Sequence, residues 1–326
     1  MEFFLQLVVS GFLTGSVYAL MALGIVIIYK ASSVFNFAHG SIVAFAGYLM
    51  WHLLVNLQLS FFFSVLISLV VIAVISFLIQ RFILYPLTGQ SVLTIIMATL
   101  ALAEVFSGFI TLFWPGPART YPKFLPSSVF QLGTVFITSE ELVNFAICVV
   151  AFIIFMFFFR KSKLGLTMRG TAEDHQLARS EGVKVDRIFV LAWFIAIVMA
   201  GIGGFLMAHM HGVNQEPLIA MGMKSLTVVI LGGMESILGA VIGGLAIGLL
   251  EALGAGYLDP LVGGGVEDVF PFIILLAVLL ISSLMVGISK HKGVDFYFQT
   301  ISIAFGYAIF YFQNRLLHSM CTGSMN

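Results

Sequence analysis

The chain contains few charged residues, because aspartate, glutamate, lysine and arginine together make up 9% of its 326 residues. Soluble domains carry roughly 25% charged residues, so this composition excludes a water-exposed globular fold. Cysteine is also rare: Cys148 and Cys321 are far apart in the sequence and imply no disulfide framework. Basic and acidic residues balance at 15 each, and outside one central loop the sequence has no basic face that would bind nucleic acid.

Motifs for catalysis and cofactor binding are absent from the sequence as well. It contains no glycine-rich phosphate loop, no Ser–His–Asp arrangement and no cluster of metal-ligating residues. We therefore predict that the protein is not an enzyme, and that the chain itself binds neither a cofactor nor a metal.

Long apolar segments are what the chain has in abundance, since 60% of its residues are hydrophobic. A transmembrane helix needs about 20 consecutive apolar residues. The runs predict an all-α, polytopic helical membrane protein with about eight or nine spans, among them broken or re-entrant short helices. The candidate spans are Phe3–Ile28, Val34–Leu57, Phe61–Phe82, Thr94–Trp114, Leu142–Phe159, Ile188–Met207, Val269–Val286 and Phe296–Leu317, together with the glycine-rich segment 225–258.

One loop, residues 160–187, concentrates the charge of the molecule. It holds seven of the 15 basic residues, whereas the proline-rich loop 115–141 holds only Arg119 and Lys123. Short basic loops stay on the cytoplasmic side of a membrane. The loop 160–187 is therefore predicted to be cytoplasmic and the loop 115–141 external, while the apolar spans are expected to face membrane lipid.

A short helix is predicted inside the basic loop, over Ala172–Glu181. Thr171 is a typical residue at a helix start, the acids Glu173 and Asp174 suit the positive end of the helix dipole, and Gly182 is typical of a helix end. The helix fits either a rigid element that docks on a cytoplasmic partner or a solvated connector between two spans.

Polar side chains within apolar runs form a second group of candidates. Asn36, His39 and Ser41 stand at the start of the second span, and Glu104 stands in the middle of the fourth. Such groups are costly in lipid unless they face protein or water, which makes them candidates for a translocation pathway. His39 could carry a proton, but a lone histidine in such a place is more often a satisfied structural residue. Glu104 fits either a functional acid or a structural hydrogen-bond acceptor.

The glycine-rich segment supplies the remaining candidates for a pathway. Its sequence predicts two half-length helices with a break at Gly232–Ser236. The glycines fit either a gate built from short helices or tight helix packing, and Glu235 fits either the pathway or the cap of the helix that follows. The candidate pathway residues of this segment are Gly232, Gly233, Glu235, Ser236 and Gly243.

Four stretches of the chain, in order within residues 5–285, resemble the ABC-type branched-chain amino acid permeases. GSVYALMALG at 15–24 and VFNFAHG at 34–40 resemble the N-terminal signature of that family. GLTMRGTAEDHQLARSEGV at 165–183 resembles its cytoplasmic coupling segment, and LGGMESILGAVIGGL at 231–245 its glycine-rich segment. The residues that this resemblance assigns to coupling are Arg169, Ala172, Glu173, Asp174, Ala178 and Gly182.

The resemblance implies one half of a heterodimeric membrane domain in the inner, or plasma, membrane of a bacterium or archaeon. A second homologous permease would complete the domain, and two cytoplasmic ATP-binding subunits would use ATP to drive it. An extracytoplasmic solute-binding protein would deliver the solute. Residues 1–290 would form the permease domain, with the loop 160–187 as its coupling element.

Two departures from the family pattern accompany the resemblance. Ser41 stands where many members have an acidic residue, and residues 291–326 form a divergent extension with room for an extra span. The expected solute is a branched-chain or other small amino acid, and urea or a short amide is the alternative within the family. The alternative outside it is an ion-coupled secondary transporter or channel with Glu104 or His39 as the ion relay.

Overall fold

The structure is a computed structural model that describes residues 2–32, 35–87, 90–121, 128–132, 134–173, 175–262 and 264–287. The predicted last span and the extension 291–326 lie outside these residues. The helices are α1 (Glu2–Ser32), α2 (His39–Trp51), α3 (Phe61–Ile79), α4 (Val92–Phe113), α5 (Ser139–Lys161), α6 (Lys163–Glu173), α7 (His175–Ser180), α8 (Val185–His211), α9 (Gln215–Gly232), α10 (Ile237–Tyr257), α11 (Asp259–Val262) and α12 (Val266–Gly287), and the strands are β1 (Val129–Leu132) and β2 (Val135–Thr138). The π-helical turns His52–Asn56 and Gln80–Leu84 continue α2 and α3.

Helices of membrane-spanning length dominate the fold, which confirms a helical, polytopic membrane protein. Within the described residues, six helices are long and apolar enough to cross a membrane. They are Glu2–Ser32, Phe61–Leu87, Leu93–Phe113, Ser139–Lys161, Arg187–His211 and Ile237–Tyr257. The only strands in the same part of the chain are β1 and β2, a two-stranded antiparallel hairpin.

The chain divides into two compact units, residues 1–249 and residues 250–326. In the first unit, α1 packs against α5, α8 and α9, while α2 packs against α4, α8 and α9. The apolar stretch of α1 is 89% buried, whereas those of α3, α4 and α5 are 28%, 28% and 22% buried. Helix α1 therefore forms the centre of this unit and the other three form its rim.

Glycines bring the central helices into close contact. A Cβ added at Gly15 of α1 would lie 2.8 Å from the Gly244 carbonyl oxygen of α10, and one at Gly222 of α9 would lie 2.6 Å from Gly40 Cα of α2. A Cβ at Gly204 of α8 would overlap the Val43 carbonyl oxygen of α2. Small residues at crossings let helix backbones approach, and this is how membrane helices gain packing contacts.

The loop 115–141, which is predicted to be external, is tied to one end of the first unit. Arg119 and Val213 form an antiparallel bridge with N–H···O distances of 3.0 and 2.7 Å. Trp51 Nε1 donates to the Thr120 carbonyl oxygen at 3.1 Å, and the Tyr121 hydroxyl donates to the Gly47 carbonyl oxygen at 2.6 Å. Burial raises the pKa of Tyr121, so its hydroxyl keeps the donated proton at physiological pH.

The β-hairpin joins this external loop to α5. The Gln6 side chain of α1 pairs with the Phe136 backbone as a strand would, accepting from N–H at 2.9 Å and donating to the carbonyl at 2.8 Å. Helix α5 then starts with a capping box, in which Thr138 and Glu141 satisfy each other's backbone N–H groups. The opposite end of the unit has a small cavity lined by Lys30, Met168 and Ile237 among others.

The second unit contains the end of α10, the short helix α11 and α12. Asp259 accepts a hydrogen bond from the Val266 N–H through Oδ1 at 2.7 Å, which ties the start of α11 to the start of α12. A Cβ added at Gly254 would lie 2.9 Å from the Phe270 ring, so the two helices pack closely. Pro271 lies in the second turn of α12, where it has no N–H to donate to the Glu267 carbonyl.

Candidate functional site

The basic loop folds as two helices, α6 and α7, and not as the single helix predicted over Ala172–Glu181. Thr171 lies inside α6, where it is buried and its Oγ1 has no hydrogen-bond partner among the described residues. The N-cap role predicted for Thr171 is therefore wrong. Ser162 takes that role nine residues earlier, because its Oγ accepts the Gly165 N–H at 2.8 Å.

Helix α6 is held rigidly against the end of α5. Arg169 Nη1 donates to the Phe159 carbonyl oxygen at 2.7 Å, and its guanidinium lies 5.6 Å from the centre of the Phe159 ring. A Cβ at Gly165 would lie 2.7 Å from the Phe158 carbonyl oxygen. The orphan carbonyl groups at the end of α5 are thus partly satisfied by α6, and only glycine fits this corner.

Helix α7 ends as the sequence predicts. Gly182 has a positive φ of 82°. The Gly182 N–H donates to the Arg179 carbonyl at 3.1 Å, and the Val183 N–H donates to the Ala178 carbonyl at 3.0 Å. These two bonds form a Schellman motif, in which glycine is favoured because it adopts the left-handed conformation without strain.

Apolar side chains on this helix pair are open to solvent. Leu164, Leu166 and Leu177 are each about half or more exposed, at the end of the molecule that the basic loop assigns to the cytoplasm. Of the predicted coupling residues, Ala172 and Glu173 end α6, but their side chains lie outside the described part of the structure. Asp174 lies outside the described residues altogether. Exposed leucines among lysines and arginines are typical of a surface that a partner covers.

Asn36 and His39 lie buried at the corner between α1 and α2. Asn36 Oδ1 accepts the Ala38 N–H at 3.0 Å, while Asn36 Nδ2 and His39 Nε2 have no partner among the described residues. The His39 ring packs over Gly24, with Cε1 3.4 Å from the place of a Cβ there. These contacts fit a structural role at the helix crossing as well as the pathway role.

Ser41 lies buried on α2 and faces α4, the rim helix that carries Glu104. Ser41 Oγ of α2 is 3.5 Å from Ser107 Oγ of α4, one turn after Glu104. The Glu104 side chain is exposed near the middle of α4 and has no hydrogen-bond or ion-pair partner in the described part of the chain. A carboxylate at that depth requires protein or water beside it.

The glycine-rich segment forms the turn between α9 and α10. Gly232 packs against Gly239 across the turn, and Gly233 has a positive φ of 95°. The predicted break lies here, but α9 and α10 have 18 and 21 residues and are not half-length. The predicted capping role of Glu235 is wrong, since Glu235 is exposed and Ser236 Oγ accepts the Gly239 N–H at 2.9 Å.

The last glycine of this group, Gly243, lies in α10 beside α9. An added Cβ there would be 2.9 Å from the Val228 carbonyl oxygen and 3.3 Å from Gly232 N. The contact fits the packing role proposed for the glycines. The structure therefore separates the candidate pathway residues into a buried corner, an exposed rim position and a tight turn.

Lys224 was missed by sequence reasoning. It lies in α9 with 2% of its surface exposed, inside a helix that begins at Gln215. Lys224 is the sole lysine or arginine between Arg187 and Lys290. That isolation within a long apolar region is the feature of the sequence that could have marked it as a candidate. Its charge also interrupted the apolar run, and this explains why the start of α9 was not predicted.

The polar neighbours of Glu104 were missed as well. Gln215 Nε2 donates to the Ser107 carbonyl oxygen at 3.3 Å, and Thr111 Oγ1 donates to Gln215 Oε1 at 3.2 Å. Serine and threonine inside a span read as ordinary helix packing residues in a sequence. Only the spacing of Ser107 and Thr111 from Glu104 on one side of the helix could have indicated them.

This arrangement of apolar spans, a basic helix pair at one end and a tied loop at the other defines a multi-pass membrane transport component. The chain belongs to the family of branched-chain amino acid transport system permease components, whose model matches residues 7–279. It is accordingly the permease component of an ABC-type transporter and not its catalytic subunit.

The chain is similar to several characterised permeases. It is 28% identical over 293 residues to the high-affinity branched-chain amino acid transport system permease protein LivH of Escherichia coli, covering 86% of this chain and 94% of LivH. It is 28% identical over 290 residues to BraD of Pseudomonas aeruginosa, covering 85% of this chain and 93% of BraD. It is 29% identical over 131 residues to the nucleoside ABC transporter permease protein NupC of Lactococcus lactis, covering 40% and 41%.

Proposed function

We propose that this chain is one half of the membrane domain of an ATP-driven importer that carries branched-chain or other small amino acids into the cell. The observation that carries the proposal is the α6–α7 pair, with α6 joined to the end of α5 by Arg169, within a chain that matches the permease family over residues 7–279. The other half is a second homologous permease. Two cytoplasmic ATP-binding subunits and an extracytoplasmic solute-binding protein complete the importer in the inner membrane.

Residues 1–290 form the membrane domain in this proposal, with nine crossings. The 13 residues of α2 and the five of its π turn measure about 27 Å, as do the 18 residues of α9. This length matches the roughly 30 Å hydrocarbon core. With α12, these helices add three crossings to the six long apolar helices. Residues 291–326 are a C-terminal extension of this domain.

The α6–α7 pair is the coupling element that receives the movement of the ATP-binding subunits. Its supporting features are the Arg169 bond to the end of α5, the Schellman motif at Gly182 and the exposed Leu177 side chain. A rigid connection is required, because a flexible one would absorb the displacement before it reached the spans. Ala172, Glu173, Asp174 and Ala178 complete the docking segment.

The translocation pathway runs past the candidate residues on the spans. Asn36, His39 and Ser41 contribute from the start of α2, and Glu104 contributes from α4. Polar groups within a membrane domain are retained where they face water or solute, and the exposed position of Glu104 supports this role. At the α9–α10 turn and the crossing after it, the residues proposed to let the pathway open are Gly232, Gly233, Glu235, Ser236 and Gly243.

Co-purification from the native membrane tests the assembly. We expect wild-type protein to bring down a second permease and the ATP-binding subunit in fixed ratio. The Leu177→Ser variant should recover at least tenfold less ATP-binding subunit, because it removes apolar surface from the docking segment. Leu57→Ser is the matched control, an exposed leucine at the opposite end, and should recover the subunit within twofold of wild type.

Two outcomes would contradict the proposal. Equal recovery of the ATP-binding subunit by Leu177→Ser would remove α7 from the docking surface. Recovery of the wild-type chain alone would favour the ion-coupled secondary transporter or channel. Competition of labelled leucine uptake by unlabelled small amino acids, urea, short amides and nucleosides then identifies the solute, and we expect only amino acids to compete.

A further inference from the structure

Helix α4 has a polar flank that runs from its middle to its external end. Glu104, Ser107, Gly108 and Thr111 follow the spacing i, i+3, i+4 and i+7, which places them on one side of the helix. The side chains that α4 buries in the first unit, such as Ala103, Phe106 and Ile110, lie on a different side. The polar flank is thus not part of the apolar core.

Two other helices border this flank and add polar groups to it. Ser41 of α2 lies 3.5 Å from Ser107, Oγ to Oγ. Gln215 at the start of α9 bonds to both the Ser107 carbonyl and the Thr111 hydroxyl, at 3.3 and 3.2 Å. Beside them the flank is open, because a Cβ added at Gly108 would meet no atom within 4 Å.

The exposed surface of α4 has two parts of opposite character. Val105, Phe109 and Leu112 are exposed and apolar, as lipid requires. Glu104, Gly108 and Thr111 are also exposed, but a carboxylate and a hydroxyl that point away from the core suit water and not hydrocarbon. The two parts of the exposed surface thus suit different surroundings, hydrocarbon for one and water for the other.

We propose that the polar flank of α4 lines the translocation pathway and that the Glu104 carboxylate binds the α-ammonium group of the passing amino acid. The proposal rests on the importer function given above. An amino acid solute carries a positive ammonium group that a carboxylate recognises with charge-assisted hydrogen bonds. A single such contact in an open groove holds the solute weakly, which transport requires because the solute must also leave.

Thiol labelling of the whole importer tests the pathway. Gly108→Cys is made in a background with Cys148→Ala and Cys321→Ser, and the importer is reconstituted with all its partner subunits. The control is Ile153→Cys on α5, an exposed position with only apolar neighbours along its face. We expect a charged methanethiosulfonate reagent to label Gly108→Cys at least tenfold faster than the control, and leucine-loaded binding protein to slow that labelling.

Two results would contradict these expectations. If Gly108→Cys in an assembled importer is labelled no faster than Ile153→Cys, the flank faces lipid or a dry subunit interface and the pathway assignment is wrong. An importer that does not assemble, or wild-type uptake that needs no ATP, would instead show that the proposed function has failed. Failure of the pathway assignment is seen in the labelling of an assembled importer, whereas failure of the proposed function is seen in assembly and in wild-type uptake, so the two outcomes are distinguishable.

Substitution of Glu104 tests the ammonium contact. We expect Glu104→Gln to lower leucine uptake at least tenfold per assembled complex, and Glu104→Asp to restore part of it because the charge is retained. Val105→Ala, next to it on the apolar side, should stay within twofold of wild type. Uptake by Glu104→Gln equal to wild type would overturn the ammonium contact even if the labelling result stands.

Discussion

Helices α4 and α5 cover the rim of the same unit and differ in one respect. Their apolar stretches are buried to similar extents, 28% and 22%. The exposed residues of α5 between Leu142 and Phe157 are all apolar, whereas the exposed residues of α4 include Glu104 and Thr111. Burial within one chain thus does not separate the two helices, but the chemistry of the exposed side does, and this difference is the basis for proposing that α4 faces the pathway.

The largest expected effect comes from giving α5 the charge that α4 has. Ile153→Glu would place a carboxylate against lipid at a cost of about 2.5–3.5 kcal/mol. We expect at least a tenfold loss of membrane-integrated protein, measured as carbonate-resistant chain in isolated membranes. Ile153→Leu is the control and should integrate normally. Full integration of Ile153→Glu would indicate that α5 faces water or protein, and the proposed difference between α4 and α5 would then be wrong.

A second pair of variants contrasts a packed glycine with an open one. A Cβ at Gly204 overlaps the Val43 carbonyl, while a Cβ at Gly108 meets nothing within 4 Å. Gly204→Ala should destabilise the chain by roughly 1–3 kcal/mol through overpacking. Gly108→Ala should be neutral or slightly stabilising, because alanine is the better helix former. Thermal unfolding of the two proteins in detergent measures the difference, and equal melting temperatures would mean that α2 and α8 are not in close contact.

The smallest effect is expected from removing a hydroxyl from the flank of α4. Thr111→Val loses the hydroxyl proton that is shared between the Ser107 carbonyl oxygen at 3.0 Å and Gln215 Oε1 at 3.2 Å. Such a hydrogen bond contributes about 0.5–1.5 kcal/mol. We expect uptake to fall by a factor of about two to three. The melting temperature should change little, because Thr111 is exposed and its replacement leaves no cavity in the core. The mirror variant on α5, Val149→Thr, should leave uptake unchanged. A larger loss for Val149→Thr than for Thr111→Val would reverse the roles of the two helices.

The sequence predicted a helix end correctly where only one residue type suits the backbone conformation. Gly182 ends α7 as predicted, because few other residues adopt a positive φ without strain. Thr171 failed as a cap because α6 continues through it and Ser162 caps that helix at its start. Glu235 failed because the hydroxyl of the neighbouring Ser236 accepts the Gly239 N–H. Which of two competent caps is used depends on where the helix must start to pack, and the tertiary contacts decide that.

The apolar runs determined the membrane class and the positions of most spans, since hydrophobic burial in lipid depends on composition over about 20 residues. The cytoplasmic side of the loop 160–187 stays a prediction from its charge. The motifs at 34–40, 165–183 and 231–245 determined the family. Only the tertiary structure decided that Lys224 is buried and that Glu104 shares an open flank with Gly108 and Thr111. The sequence does not show whether a charged residue in a span is buried or exposed, because its surroundings are set by the helices that pack beside it.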